Sequence, residues 1–129
     1  MSRSIKISLA LVLLVGICVA FVHAPQGRYK NLQILPKDIA PRMLDSIMDS
    51  YSKALGIGCS FCHVAHASIP DSLDYASDKN EMKENARGMM KLTIDINTKY
   101  FYYDTTVPPV YLNIVRCQTC HRGEPYPVE

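Results

Sequence analysis

Two short stretches, "GCSFCHVAH" and "RCQTCHRG", each place two cysteines and a histidine in the spacing C-x-x-C-H. Cys59, Cys62 and His63 form the first set, and Cys117, Cys120 and His121 the second. Two thiols three residues apart, followed at once by an imidazole, suit covalent attachment of a c-type haem. The thiols add across the two vinyl groups of the porphyrin and become thioethers, and the histidine supplies an axial nitrogen to the iron. The spacing follows from one helical turn, in which residues three apart share a side and the next lies close to it. Other chemistry uses the same residue types. Four exported cysteines suit two disulfides, which leaves the two matched histidines without a role. Two C-x-x-C pairs also resemble a zinc ribbon. That pattern expects ~15–20 residues between pairs, whereas 54 residues separate Cys62 from Cys117. A thioredoxin-like redox pair needs a surrounding β-α-β pattern, and neither motif has one.

At 129 residues the chain fits one domain. Its start, "MSRSIKISLALVLLVGICVAFVHAP", has a basic end at Arg3 and Lys6 and an uncharged, mostly apolar run of 16 residues from Ile7 to Val22. Residues 1–24 therefore read as an uncleaved signal anchor or, alternatively, a signal peptide cut after Ala20 or Ala24. Pro25 disfavours the cut at Ala24, and the bulky Ile17 makes Cys18 a poor lipidation site. Either way the rest of the chain faces the periplasm, with the basic end inside. Without Arg3 and Lys6 the exported part carries 12 basic and 12 acidic side chains. No basic stripe with interleaved aromatics is present, so nucleic acid is not an expected partner.

Residues 25–41 read as a linker. In "PRMLDSIMDSYSKALGIG", Leu44, Ile47, Met48, Tyr51 and Leu55 recur at intervals of three and four and mark one helical face. Pro41 suits the first turn and Gly56 the position just past the end. The first motif follows, on an expected short helix, and then "VAHASIPDSLDYA" reads as a loop. Asp78 followed by Glu81 forms a capping signature. The long helix it opens carries Met82, Ala86, Met89, Thr93, Ile96 and Tyr100 on one stripe, widened by Met90, Ile94 and Phe101. Gly88 costs about 1 kcal/mol against Ala in such a helix, which points to a bulky group near its backbone. Pro108 and Pro109 break the helix, "VYLNIV" reads as extended, and the second motif lies on a final short helix. The expected architecture is all-α: a compact haem domain over residues 42–123 built from two helix–turn–CxxCH-helix units, an N-terminal membrane-anchor helix, and a tail over 124–129.

The pattern makes His63 and His121 the proximal ligands. The sixth ligand has to come from elsewhere, and Met and His are the usual choices. The candidates are Met43, Met48, Met82, Met89, Met90 and His66. Met48, Met82 and Met89 lie on inward stripes, but a stripe methionine equally serves as core packing. His66 lies three residues after His63 and suits a propionate contact or solvent.

In combination, "LPKDI", "ALGIGCSFCHV", "ARGMMKLTIDIN" and "CQTCHRG" resemble the cytochrome c subunit of photosynthetic reaction centres and its small relatives. The resemblance covers roughly residues 32–123. It implies that each haem unit is a helix bearing an axial Met, a turn and a C-x-x-C-H helix, and that Met48 and Met89 are the axial methionines. The photosynthetic subunit carries four haems; this chain has two motifs and resembles one half. No His lies between His66 and His121, where the four-haem form has one that ligates a haem of its other half. The connection from Asn97 to Cys117 is longer than the family pattern.

The sequence thus reads as a dihaem c-type cytochrome with two covalently bound haem c groups, each with its iron. It would pass single electrons between redox protein partners, a donor and an acceptor in membrane complexes, and would not be an enzyme. The alternatives are a haem enzyme of dihaem-peroxidase type and a haem-based sensor or respiratory-complex subunit. The first needs an open iron site with a distal acid–base set, and the second a signalling domain; neither is evident.

Overall fold

The computed structural model describes residues 29–127. The segment read as an anchor or signal lies outside them. Among the described residues, no helix is long and apolar enough to cross a membrane.

Helix α1 spans Pro41–Leu55. Pro41 occupies the first turn, where its missing N–H costs nothing, and Gly56 closes the helix at φ 63°. The Ile57 N–H returns to the Ser52 carbonyl at 3.1 Å and completes the stop. The first motif then differs from expectation. It forms a single 3-10 turn, Cys59–Phe61, rather than an α-helix. A two-stranded antiparallel hairpin begins directly after His63, so the chain has no room for a second turn. Strand β1 (Val64–Ala65) pairs with β2 (Leu73–Asp74), Val64 opposite Asp74 and Ala65 opposite Leu73. Strands of two residues are too short to show a period of two, and this stretch therefore reads as a loop in the sequence. The fold is helix-dominated, with three α-helices and this small sheet among the described residues.

Helix α2 spans Glu81–Phe101 and is capped by Asn80 rather than Asp78. The Asn80 side-chain oxygen accepts from the Met82 N–H at 3.0 Å. Asp78 is drawn elsewhere, because the buried Arg87 guanidinium requires carboxylate partners. Arg87 donates to Asp78 at 2.9 Å and to Glu84 at 2.8 Å, and Lys83 pairs with Asp78 at 3.0 Å. Hydrogen bonds from Arg87, Asn31 and Lys83 hold the Asp78 carboxyl well below the usual range. After α2 the expected extended segment is instead a 3-10 turn, Pro109–Tyr111, and a series of bends. Helix α3, Cys117–His121, carries the second motif as expected.

The buried apolar residues among those described are Leu35, Ile39 and Ala54, and the buried polar ones are Arg87 and Asn97. Helix α2 presents its Met90–Ile94 side to a cavity of about 260 Å3 that Leu35, Ala54, Leu112 and Cys117 also line. Met89 and Tyr100, expected on the inward stripe, are 49% and 58% exposed. The packed face is offset because two of its positions are polar. Arg87 and Asn97 do not register as core in a hydrophobic pattern.

Asn97 is 1% exposed. Its Nδ2 donates to the Leu112 carbonyl at 3.0 Å and the Val115 carbonyl at 2.8 Å, and its Oδ1 accepts from the Val115 N–H at 2.8 Å. Asn97→Ala strands these backbone groups and is expected to cost about 3 kcal/mol. Urea unfolding should show a lower midpoint at unchanged slope.

Candidate haem sites

The first site is built on the turn after α1. The Phe61 N–H bonds the Gly58 carbonyl at 3.1 Å and the His63 N–H bonds the Cys59 carbonyl at 3.0 Å, which closes one turn that carries Cys59 and Cys62 and ends at His63. Asn80 ties this turn to the start of α2. Its Nδ2 donates to the Phe61 carbonyl at 2.9 Å while its oxygen caps the helix. Cys62 Sγ lies 4.0 Å from the Met82 carbonyl. Burial pushes the Cys62 thiol pKa up. Burial, and then the Lys83 charge, push His63 below its ordinary value, so its ring is neutral at pH 7 and able to bind a metal.

The second site is built on α3. Thr119 Oγ1 accepts from the Arg116 N–H at 3.0 Å, and the Thr119 N–H returns to the Arg116 carbonyl at 2.9 Å. The helix ends at Arg122 in the left-handed region, φ 53°. Beyond it, the Gly123 N–H donates to the Ala54 carbonyl at 2.9 Å, which fastens the second motif to the end of α1. His121 Nδ1 lies 3.0 Å from the Glu124 carbonyl. A carbonyl only accepts, so Nδ1 carries a proton, and in the neutral ring this leaves the lone pair on Nε2. Burial and the neighbouring Cys120 raise the Cys117 thiol pKa. Beside Cys117, burial pushes Tyr51 up to about 12, so its hydroxyl keeps its proton.

The four motif cysteines are free thiols. Among the described residues, no three His, Cys, Asp or Glu side chains converge as metal ligands. The methionines divide by position. Met48 is half-buried on α1, and Met89 is half-exposed on α2. Met90 lines the cavity beside Cys117. Met82 Sδ lies near Asn85 Nδ2, at 3.8 Å, and Tyr126 Oη, at 4.0 Å. His66 sits on the hairpin, with Nδ1 accepting from the Ser68 N–H at 3.2 Å. A Cβ at Gly88 would meet nothing within 4 Å. Asn80, Asn97, Tyr75 and the Glu124 carbonyl all position the motifs and carried no signal in the sequence reading. An Asn just ahead of a helix start is the one cue that pattern reasoning offers for Asn80.

The donor set fits haem c at both sites. Each offers two free thiols and an imidazole on one turn, and the second already holds its histidine in the tautomer that leaves Nε2 available. The sparse apolar core fits as well, since a small chain that buries few of its own side chains needs another source of apolar contact.

These features are those of a c-type cytochrome. Residues 23–129 match the model of the photosynthetic reaction centre cytochrome C subunit, and the chain belongs to that family. Cytochrome c-554 of Chloroflexus aurantiacus is 30% identical over 99 residues, covering 77% of this chain and 22% of that protein. The photosynthetic reaction center cytochrome c subunit of Rubrivivax gelatinosus is 32% identical over 72 residues, covering 56% of this chain and 16% of that protein. The chain thus spans about a fifth of the length of these curated relatives. No solved structure matches it.

The contact between α1 and α3 yields a test. At Gly56, φ is +63° and a Cβ would run into the Gly123 carbonyl oxygen, whereas a Cβ at Gly58 would meet nothing within 4 Å. Gly56→Ala is expected to destabilise by about 1–2 kcal/mol from backbone conformation alone, with the clash in addition. Gly58→Ala should be near neutral. Thermal unfolding of the two variants side by side checks this.

Proposed function

We propose that the chain is a dihaem c-type cytochrome that relays single electrons on the periplasmic side of the cytoplasmic membrane. The observation that carries the reading is the pair of C-x-x-C-H turns, each held by its own backbone and side-chain bonds. Cys59 and Cys62 would hold one haem, and Cys117 and Cys120 the other. His63 and His121 would each supply a nitrogen to the iron. Met48 and Met89 would supply the sixth ligands, from α1 and α2 respectively. Haem iron, when bound, supplies reversible one-electron chemistry. Ligation on both faces leaves no coordination position for a substrate, which favours a carrier over an enzyme. The relative from Rubrivivax, named as a reaction center subunit, supports redox partners within a membrane complex. The N-terminal apolar run supports attachment there, with a soluble periplasmic form as the alternative.

Intact mass of the purified protein should report two covalent haems, retained through acid–acetone extraction. Replacing Cys59 and Cys62 with Ala should remove one haem, and replacing Cys117 and Cys120 the other. Haem lost to extraction from the parent protein would end this reading. The ferric spectrum should be low-spin with a methionine–iron charge-transfer band. Met48→His should lower one potential and stay low-spin, and Met89→Ala should open one iron to cyanide. Met82→Leu and Met90→Leu should leave the band intact. If Met90→Leu removes it and Met89→Leu does not, the ligand is the neighbouring residue that lines the cavity.

A further inference from the structure

The two motifs are alike in sequence, but their imidazoles are held by different partners. His121 Nδ1 lies 3.0 Å from the Glu124 carbonyl, the acceptor that an axial histidine commonly uses. His63 Nδ1 is buried and has no hydrogen-bond partner among the described residues. Its ring instead meets that of Tyr75, with centroids 5.0 Å apart and planes at 66°, an edge-to-face contact.

Tyr75 is fixed from its backbone. Asp74 Oδ1 accepts from the N–H groups of Ala76 and Ser77, each at 3.1 Å. Lys83 Nζ donates to the Tyr75 carbonyl at 3.0 Å and the Ser77 carbonyl at 2.7 Å, and Asn31 Nδ2 donates to the Ala76 carbonyl at 2.6 Å. A ring that is 60% exposed on its residue average is thereby kept against the histidine.

The consequence concerns donor strength. A ring N–H bonded to a carbonyl makes the opposite nitrogen a stronger donor. Stronger donation favours ferric iron, and hydrogen bonding around the haem is one of the levers that sets its potential. With methionine proposed at both sixth positions, the contrast falls on the histidine side. We propose that Tyr75 is the positioning residue for His63, and that the His63 centre, lacking an N–H···O=C bond to its ring, has the higher reduction potential of the two. This rests on the dihaem reading.

The test uses the full-length haem-loaded protein, with potentiometric titration followed by electron paramagnetic resonance. The parent should show two separate potentials. Tyr75→Ala frees the His63 ring to find a hydrogen-bond acceptor, so the higher potential should fall, one set of ferric g-values should change, and the lower potential should stay in place. Tyr75→Phe keeps the ring contact and should keep parental values, which a loss of the hydroxyl or of general packing would not. A Tyr75→Ala that moves the lower potential, both equally or neither overturns the proposal. A second measurement needs no variant. Nitrogen-15 histidine spectra of the ferrous protein should show one axial Nδ1–H downfield and hydrogen-bonded and one not. Two equivalent N–H signals would also overturn it. Intact mass separates the outcomes. Fewer than two haems removes the dihaem reading beneath the proposal, and two haems with unmoved potentials removes only the proposal.

Discussion

Three hydrogen bonds at the Asn97 carboxamide, two donated and one accepted, fix the stretch of backbone that leads into the second C-x-x-C-H turn. Asn97 is also the largest fully buried side chain among the described residues. An amide buried this deeply is costly unless its donors and acceptor are all used. Here they are used on main-chain groups of one short segment, so the same bonds that satisfy the side chain determine the path of the chain. Arg87 plays a parallel part nearer the start of α2, gathering Asp78, Glu84 and the Asn31 carbonyl. Asn80 does so at the helix tip. Three of the polar anchors that order this domain thus belong to α2 and its N-cap.

That arrangement is unusual for the cause it implies. A domain of this size ordinarily rests on a contiguous apolar core, and here Leu35, Ile39 and Ala54 are the buried apolar residues among those described. Met89, Leu92 and Tyr100 stand about half exposed along α2. Under the dihaem reading, the two haems would provide the apolar contacts that the side chains do not make with one another. The polar anchors then keep each motif in place whatever packs between them.

Much of this was legible from the chain alone. Pro41 and Gly56 bracket α1 because each has a backbone property that fits only a helix end. The two motifs were readable from residue type and spacing, and the family match bears out the resemblance that the wider stretches carry. What escaped the reading was the work of side chains that serve two partners. Asp78 has the spacing of a cap, but the buried guanidinium of Arg87 claims it. The inward face of α2 is offset from the apolar stripe because Arg87 and Asn97 occupy it. The hairpin after His63 is too short for periodicity to register. The contacts that orient the two histidines join residues whose pairing exists only in three dimensions, as with Tyr75 and His63.

Helix α2 also acts as a ruler. Asn80 grips the first motif at its tip and Asn97 grips the approach to the second seventeen positions later. At 1.5 Å per residue, these grips stand about 25 Å apart along the axis. Adding or removing one residue between them would change that length only slightly, but would swing one grip about 100° around the helix relative to the other. The span from 80 to 97 therefore tolerates substitution far better than a change of length. The exposed turn over 103–106 has no such phase to keep, and it is where the chain can lengthen without disturbing either motif.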